Sequence, residues 1–152
     1  MSWYCMYGDP RWDGDELWTT MGHLYKGGMW FKKKSVLQAE HNYNTEKSAD
    51  NTTDLRTTRK IYNNTNSSIY NSGVPSAADA GNYFYLPALG HYYPDQLSYI
   101  CKLTNIDSMG NYWSSSADPW SSRHAYTLFF SSGYVYVDDS ERYFGLRAEA
   151  FQ

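Results

Sequence analysis

A chain of 152 residues with a formal net charge of −3 has room for one domain and one sizeable core, and it lacks the basic surface that a nucleic-acid partner requires. Lys32-Lys33-Lys34 is a short solvated run rather than a phosphate-binding patch, and no apolar stretch approaches the length of a membrane span. Mean hydropathy is −0.70, yet 18% of the residues are aromatic, sixteen of them Tyr and six Trp. Rings therefore supply area that aliphatic side chains normally bury, with enough left to furnish an aromatic exterior.

In chain order, Met1-Ser2 leads straight into WYCMY (3–7), which fits the tail of a helix or a short strand. No basic start followed by an apolar run precedes it, so no signal peptide is expected. On this ground the chain is either cytoplasmic or a trimmed piece of a longer one. Residues 9–28 have the punctuation of a helix. Asp13 or Asp15 stands at the cap, acids fill the first turn, and Gly27-Gly28 ends it. Leu17, Trp18, Met21, Leu24 and Tyr25 recur at helical spacing as the buried stripe, with His23 beside it.

From 38 to 82 the sequence is rich in Asn, Thr and Ser, with Tyr43, Leu55, Ile61, Tyr62, Ile69 and Tyr70 as its apolar anchors, and reads as a long functional or mobile loop. Pro75-Ser76 and the following AADA can open a short helical turn. The N-x-Ser/Thr triplets at Asn51, Asn63 and Asn66 are what chance gives in so Asn- and Thr-rich a stretch. Strands are expected at 82–90, at 111–116 with Trp113 as the anchor, and at 125–131, 134–138 and 145–151. Helices followed by short strands point to an α+β fold with a small antiparallel sheet.

The closing stretch alternates in two phases. Tyr126, Leu128, Phe130, Val135 and Val137 share one face and form the core, while Thr127, Phe129, Ser131, Tyr134, Tyr136 and Asp138 share the other. That second set mixes aromatic with small polar residues, as binding surfaces do. Either it is exposed for contact, or a further element of the chain covers it.

Motifs for chemistry are missing. There is no G-x-S-x-G elbow, P-loop or dinucleotide spacing. Asp138, Asp139 and Glu141 read as a solvated hairpin tip rather than a metal cluster. Cys5 and Cys101 are too few for a disulfide framework or a zinc site, and either pair or stay reduced. No catalytic residue, metal or cofactor is expected.

From residue 84 onward FYLPALG, GNYWSSS, AYTLFFSSGYVYV and RYFGLR follow in order. This series resembles the C-type-lectin-fold domains of gut Bacteroidetes, and more narrowly the variable proteins of diversity-generating retroelements, whose C-terminal part is rewritten by mutagenic reverse transcription. The N-terminal YGDPRWDGDELWTTMGHLYKGGMWFKKKS is similar to surface adhesins or pilus-tip proteins of this kind.

The resemblance implies a C-type lectin fold of α+β class, with two helices, a small twisted antiparallel sheet and long loops. It implies one domain over 1–152, alone or as the C-terminal part of a longer chain, with a variable region at about 91–147. It places the framework at Leu86, Pro87, Gly90, Trp113, Ser114, Ser115, Ala125, Tyr126, Leu128, Phe130, Gly133, Val135, Val137, Arg142, Gly145 and Arg147. The diversified positions fall between: Tyr93, Asp95, Ser98, Tyr99, Arg123, His124, Thr127, Phe129, Ser131, Tyr134, Tyr136, Asp138, Asp139, Ser140, Glu141, Tyr143 and Phe144. Many of these carry the products of adenine-directed mutation of asparagine codons, although Glu141 does not.

The implied function is recognition of a protein or glycan on another cell, phage or host surface, at an extracellular or cell-surface location. The calcium-dependent sugar triplets of animal lectins are absent, so a metal-free surface is expected, with calcium-independent carbohydrate binding as the alternative. A related fold serves formylglycine-generating enzymes, but Cys5 and Cys101 lie in the wrong contexts for their paired-cysteine chemistry.

Overall fold

Residues 9–28, expected as a helix, form most of a β-hairpin. The computed structural model describes residues 1–41, 43–94 and 100–148. Ser2–Tyr7 forms the helix α1, Arg11–Thr20 the strand β1 and His23–Lys32 the strand β2. Met21 and Gly22 connect β1 to β2 with φ of 49° and 78°. This left-handed pair suits a two-residue hairpin turn and matches the twist of the strands on either side.

The helical spacing of the apolar residues carries no buried stripe: Leu17, Met21 and Leu24 are 60%, 83% and 65% exposed. Trp18 instead stacks across the hairpin on its register partner Tyr25 at 4.9 Å. Asp13 caps no helix. Its Oδ1 accepts the backbone N–H groups of Asp15 and Glu16 at 3.0 Å each within a bulge of β1, and its Oδ2 accepts Trp30 Nε1 at 3.0 Å. Gly27-Gly28 lies inside β2 rather than after a helix. Gly28 passes so close beneath Tyr85 and the Leu86 carbonyl that any Cβ there would overlap them.

The helix α2 follows at Lys34–His41, then β3 at Tyr62–Asn64, α3 at Ser68–Asn71, and a single 3₁₀ turn at Ala80–Asn82. The remaining strands are β4 (Tyr83–Pro87), β5 (His91–Pro94), β6 (Cys101–Thr104), β7 (Met109–Ala117), β8 (His124–Ser131), β9 (Tyr134–Glu141) and β10 (Arg147–Ala148). They build a three-stranded sheet β1-β2-β4, a five-stranded sheet β10-β7-β8-β9-β3 and a two-stranded ribbon β5-β6. With 46% of the described residues in strands, 15% in helices and three sheets in place of one, the expected two-helix α+β C-type lectin fold is overturned. The cause is local: the predicted major helix is a hairpin, and α1, α2 and α3 span six, eight and four residues. No helix among the described residues is long and apolar enough to cross a membrane.

The polar stretch 38–82 is tied down by hydrogen bonds. Asp50 accepts the N–H groups of Thr52 and Thr53 and the Lys60 ammonium, Ser48 Oγ and Tyr62 Oη meet at 2.5 Å, and Trp3 Nε1 donates to the Lys47 carbonyl at 2.8 Å. Tyr62 and Ile69 anchor it in the core, and β3 pairs along the outer edge of β9.

The core lies between the two larger sheets and α1. Met29, Phe31 and Leu86 from one sheet meet Tyr112, Leu128, Phe130, Val135 and Val137 from the other, with Trp3, Tyr4 and Cys5 closing one end. Phe31 contacts Phe130 edge-on at 5.8 Å, and Tyr112 stacks on Phe130 at 6.0 Å. The Tyr112 hydroxyl donates to the Pro87 carbonyl at 2.6 Å and ties the sheets together. Tyr112 thus plays the part expected of Trp113, which is half-buried. Both cysteines are free, Cys5 buried and Cys101 exposed.

Candidate ligand-binding face

The two phases of the terminal hairpin segregate as strand geometry requires. Leu128, Phe130, Val135 and Val137 are fully buried and Tyr126 nearly so, while Phe129, Tyr134 and Tyr136 on the opposite phase keep part of their surface open. These three rings form one cluster: Phe129 stacks on Tyr134 at 5.5 Å, and Tyr134 meets Tyr136 edge-on at 5.0 Å. Register places Asn111, Phe129, Tyr136 and Asn63 side by side across β7, β8, β9 and β3. A flat row of this kind is a property of the sheet, which fixes the side-chain spacing and holds the rings in place without a ligand.

Thr127 and Ser131 share the outward phase but are only 3% and 9% exposed. Thr127 Oγ1 donates to the Asp138 carbonyl at 3.2 Å and lies 3.4 Å from Ser140 Oγ, so these small side chains form the floor between the rings.

Asp139 and His124 fall on the inner phase, Asp139 opposite Tyr126 and His124 opposite Glu141. The acids at the end of β9 are therefore no solvated hairpin tip. Arg59, from the polar stretch, donates Nε to Asp139 Oδ1 at 2.6 Å and Nη2 to Asp138 Oδ1 at 3.1 Å, and its Nε lies 3.3 Å from Asp118 Oδ2. Asp118 is sealed, with a side chain 1% exposed, and its Oδ1 accepts the N–H groups of Trp120 and Ser121. His124 Nδ1 adds a contact to Asp139 Oδ2 at 3.2 Å. One guanidinium thus gathers three carboxylates at the end of the sheet, and Asp139 and His124 belong to this structural cluster. Arg123 is exposed in the β7–β8 connection.

Beside the ring cluster lies a cleft of about 350 Å³, lined by His91, Asn111, Thr127, Phe129, Tyr136, Asp138, Asp139, Ser140, Phe144 and Leu146. Its far wall is the segment after β9, held to β5 by paired backbone hydrogen bonds between Tyr92 and Gly145 at 2.9 and 3.1 Å. Phe144 stacks on Tyr93 at 5.4 Å and meets Tyr143 edge-on at 4.8 Å, which places Tyr93 and Tyr143 on the exposed rim. Of the predicted residues, Thr127, Phe129, Tyr136, Asp138, Asp139, Ser140 and Phe144 converge here. Asp95 and Tyr99, and with them Ser98, lie outside the described residues.

Three lining residues were not expected: His91, Asn111 and Leu146. Asn111 was within reach only with Tyr112, rather than the expected Trp113, taken as the inward anchor of β7, which turns Asn111 to the face of its register partner Phe129. His91 was not, because only the pairing of β5 with β6 and its approach to β7 bring it in. Its Nδ1 lies 2.9 Å from Asn111 Nδ2, and its Nε2 lies 3.4 Å from Thr104 Oγ1. Since the amide nitrogen can only donate, Nδ1 is the acceptor and Nε2 carries the proton. Burial lowers the His91 pKa, which keeps the ring neutral in this role. Asp138 is shifted upward, chiefly by burial.

The cleft therefore offers ring faces, an amide, a neutral imidazole and a carboxylate, which are groups for stacking and hydrogen bonding. Among the described residues no set of three His, Cys, Asp or Glu side chains is placed to hold a metal ion. Compared with protein families, curated proteins and solved structures, the chain finds no match in any of the three.

Proposed function

We propose that this chain is a ligand-binding module that recognises a partner on another cell, phage or host surface through the outward face of β8 and β9 and the adjoining cleft, without catalysis. The observation that carries the reading is the split between two neighbours of one type. Phe130 is sealed between sheets, whereas Phe129 stacks in an open aromatic cluster at the mouth of the cleft. A core needs only the first ring. Partly exposed Tyr and Phe on a rigid sheet supply contact area at little cost in side-chain entropy, and the small polar residues between them orient a partner.

The reading extends to diversification. Positions 127, 129, 134, 136 and 138 are the rewritten ones, as in the variable proteins of diversity-generating retroelements, while the inward positions of the same strands stay fixed to preserve the core. A cell-surface location accompanies this role.

The test is binding of labelled protein to panels of bacterial cells, phage, epithelial cells and immobilised glycans, beside the double variant Tyr134→Ser/Tyr136→Ser. Removing central aromatics from a contact surface costs about tenfold or more in affinity. A variant that keeps its melting temperature and loses binding supports the reading. Equal binding by both proteins refutes it.

A further inference from the structure

The charges around the cleft are unbalanced. Two carboxylates, Asp138 and Asp139, line it, and among the described residues no Lys or Arg does. Arg59 approaches the same carboxylates but is consumed by them and by Asp118. Asp139 is saturated, with a side chain 10% exposed between Arg59 and His124. Asp138 is different: its side chain is 45% exposed, and its Oδ1 accepts Arg59 Nη2 at 3.1 Å and the Asp139 N–H at 2.8 Å. Among the described residues no hydrogen bond reaches its Oδ2.

This half-used carboxylate lines the same cleft as the rings of Phe129, Tyr136 and Phe144. Ring faces carry negative quadrupole potential, so they and a carboxylate attract the same kind of group, a weakly hydrated organic cation. An anionic ligand meets repulsion from Asp138 and Asp139. A neutral ligand would strip water from Asp138 Oδ2 and leave the carboxylate only the Arg59 contact on Oδ1, a cation it shares with Asp139 and Asp118, which is unfavourable. The volume of about 350 Å³ is at the small end of ligand pockets and suits one side chain better than a chain of sugar rings.

Resting on the ligand-binding reading above, we infer that the cleft takes the cationic head of a lysine or arginine side chain presented by a protein partner. The head lies against Asp138 Oδ2 and the stem crosses Phe129 and Tyr136. Asn111 stands in the same row of the sheet, where its amide oxygen can accept a second N–H while its nitrogen stays engaged with His91.

The experiment is a ¹H–¹⁵N NMR titration of the full chain with four blocked probes: the N-acetyl methylamides of arginine, lysine and glutamate, and methyl β-glucoside. The arginine and lysine probes are expected to shift the amides of Asn111, Thr127, Phe129 and Asp138 saturably, and more weakly at high salt. Asp138→Asn is expected to weaken them about tenfold, the range for loss of one desolvated charge partner. Tyr136→Ser, which leaves the Arg59 cluster intact, weakens them too, whereas the remote exposed Asp79→Asn does not.

If the glutamate or glucoside probe shifts the cleft as strongly as the cations, or if Asp138→Asn has no effect, the cation inference falls and the contact surface stands. If no probe shifts the cleft, the cation inference also falls, and the Tyr134→Ser/Tyr136→Ser binding comparison decides the broader reading independently.

Discussion

Phe129 and Phe130 are adjacent, chemically identical and on opposite faces of β8, so their alanine variants isolate what burial contributes. Phe130 is fully buried, packs against Phe31 and Tyr112 at 5.8 and 6.0 Å, and lies over Gly110 so closely that a Cβ there would overlap its ring. Its neighbours belong to two sheets tied together by Tyr112, so they cannot readily collapse into the space it leaves. Lost transfer energy and the residual cavity together cost about 3–5 kcal/mol for Phe130→Ala. In a domain of this size about 2–4 °C of melting temperature accompanies each kcal/mol, so the loss is roughly 6–20 °C.

Phe129 is half-buried and keeps rings at 5.5 and 6.4 Å, those of Tyr134 and Tyr136. Aromatic pairs contribute about 0.5–1.5 kcal/mol each beyond area burial, so the two pairs put Phe129→Ala at about 1–3 kcal/mol, below the cost at Phe130 because no sealed cavity is left behind. The same substitution at neighbouring positions changes the unfolded chain almost equally, which removes that term from the comparison. Urea unfolding of both variants at matched slope gives the two values. A Phe129→Ala cost equal to or above that of Phe130→Ala would refute the two-faced hairpin, because the outward ring would then be sealed beneath something.

Further expectations concern the core, the charge cluster and the titrating groups. Cys5 is fully buried, donates Sγ–H to the Val135 carbonyl at 3.3 Å, and has its thiol pushed up to about 12 by burial, while Cys101 is exposed. A chromogenic disulfide reagent should therefore titrate one thiol in the native protein and two after unfolding. Arg59→Gln strands the sealed Asp118 carboxylate; since Arg59 itself is 29% exposed, the cost is roughly 2–3 kcal/mol by urea unfolding, below that of breaking a fully buried pair. Gly110→Ala drives a methyl into the Phe130 ring and should destabilise by about 1–3 kcal/mol. The folded-state pKa of His91 is depressed below its ordinary 6.5 by burial, so the unfolded chain takes up its proton first. Stability from this group is complete above about pH 6.5 and declines as pH falls below it. Melting curves at about pH 7.5 and 5.5 should show a smaller acid loss for His91→Gln than for the parent; an equal loss would contradict the buried neutral imidazole.

The terminal hairpin was legible because its alternation is strict and one face is purely apolar. Sequence predicted strands at 125–131 and 134–138, and they run His124–Ser131 and Tyr134–Glu141. The sealed set Leu128, Phe130, Val135 and Val137 follows from that pattern alone, as do the rings on the other side. Residues 9–28 were misread because Leu, Trp and Met happen to recur at helical spacing. The hairpin turn is Met-Gly, which lacks the Asn-Gly or Asp-Gly signature that would have exposed it. Propensity there yielded to pairing: β2 is held between β1 and β4, a partner more than fifty residues away in sequence. The site shows the same limit. Asp139 and His124 hold inward register positions, yet Arg59 gathers Asp139 together with Asp138 and Asp118 at the edge of the cleft, an arrangement no local pattern shows. His91 enters the cleft only through long-range strand pairing, for which no local pattern exists.

Sequencing many sibling copies of this chain's gene is the most direct test of the claim that the open face of β8–β9 exists to meet partners. The account predicts that substitutions concentrate at 127, 129, 134, 136 and 138, while Leu128, Phe130, Val135 and Val137 hold constant and exposed positions elsewhere, such as Leu17, Thr52 and Ser76, change far less. Substitutions spread evenly over all exposed positions, with no excess on that face, would contradict it.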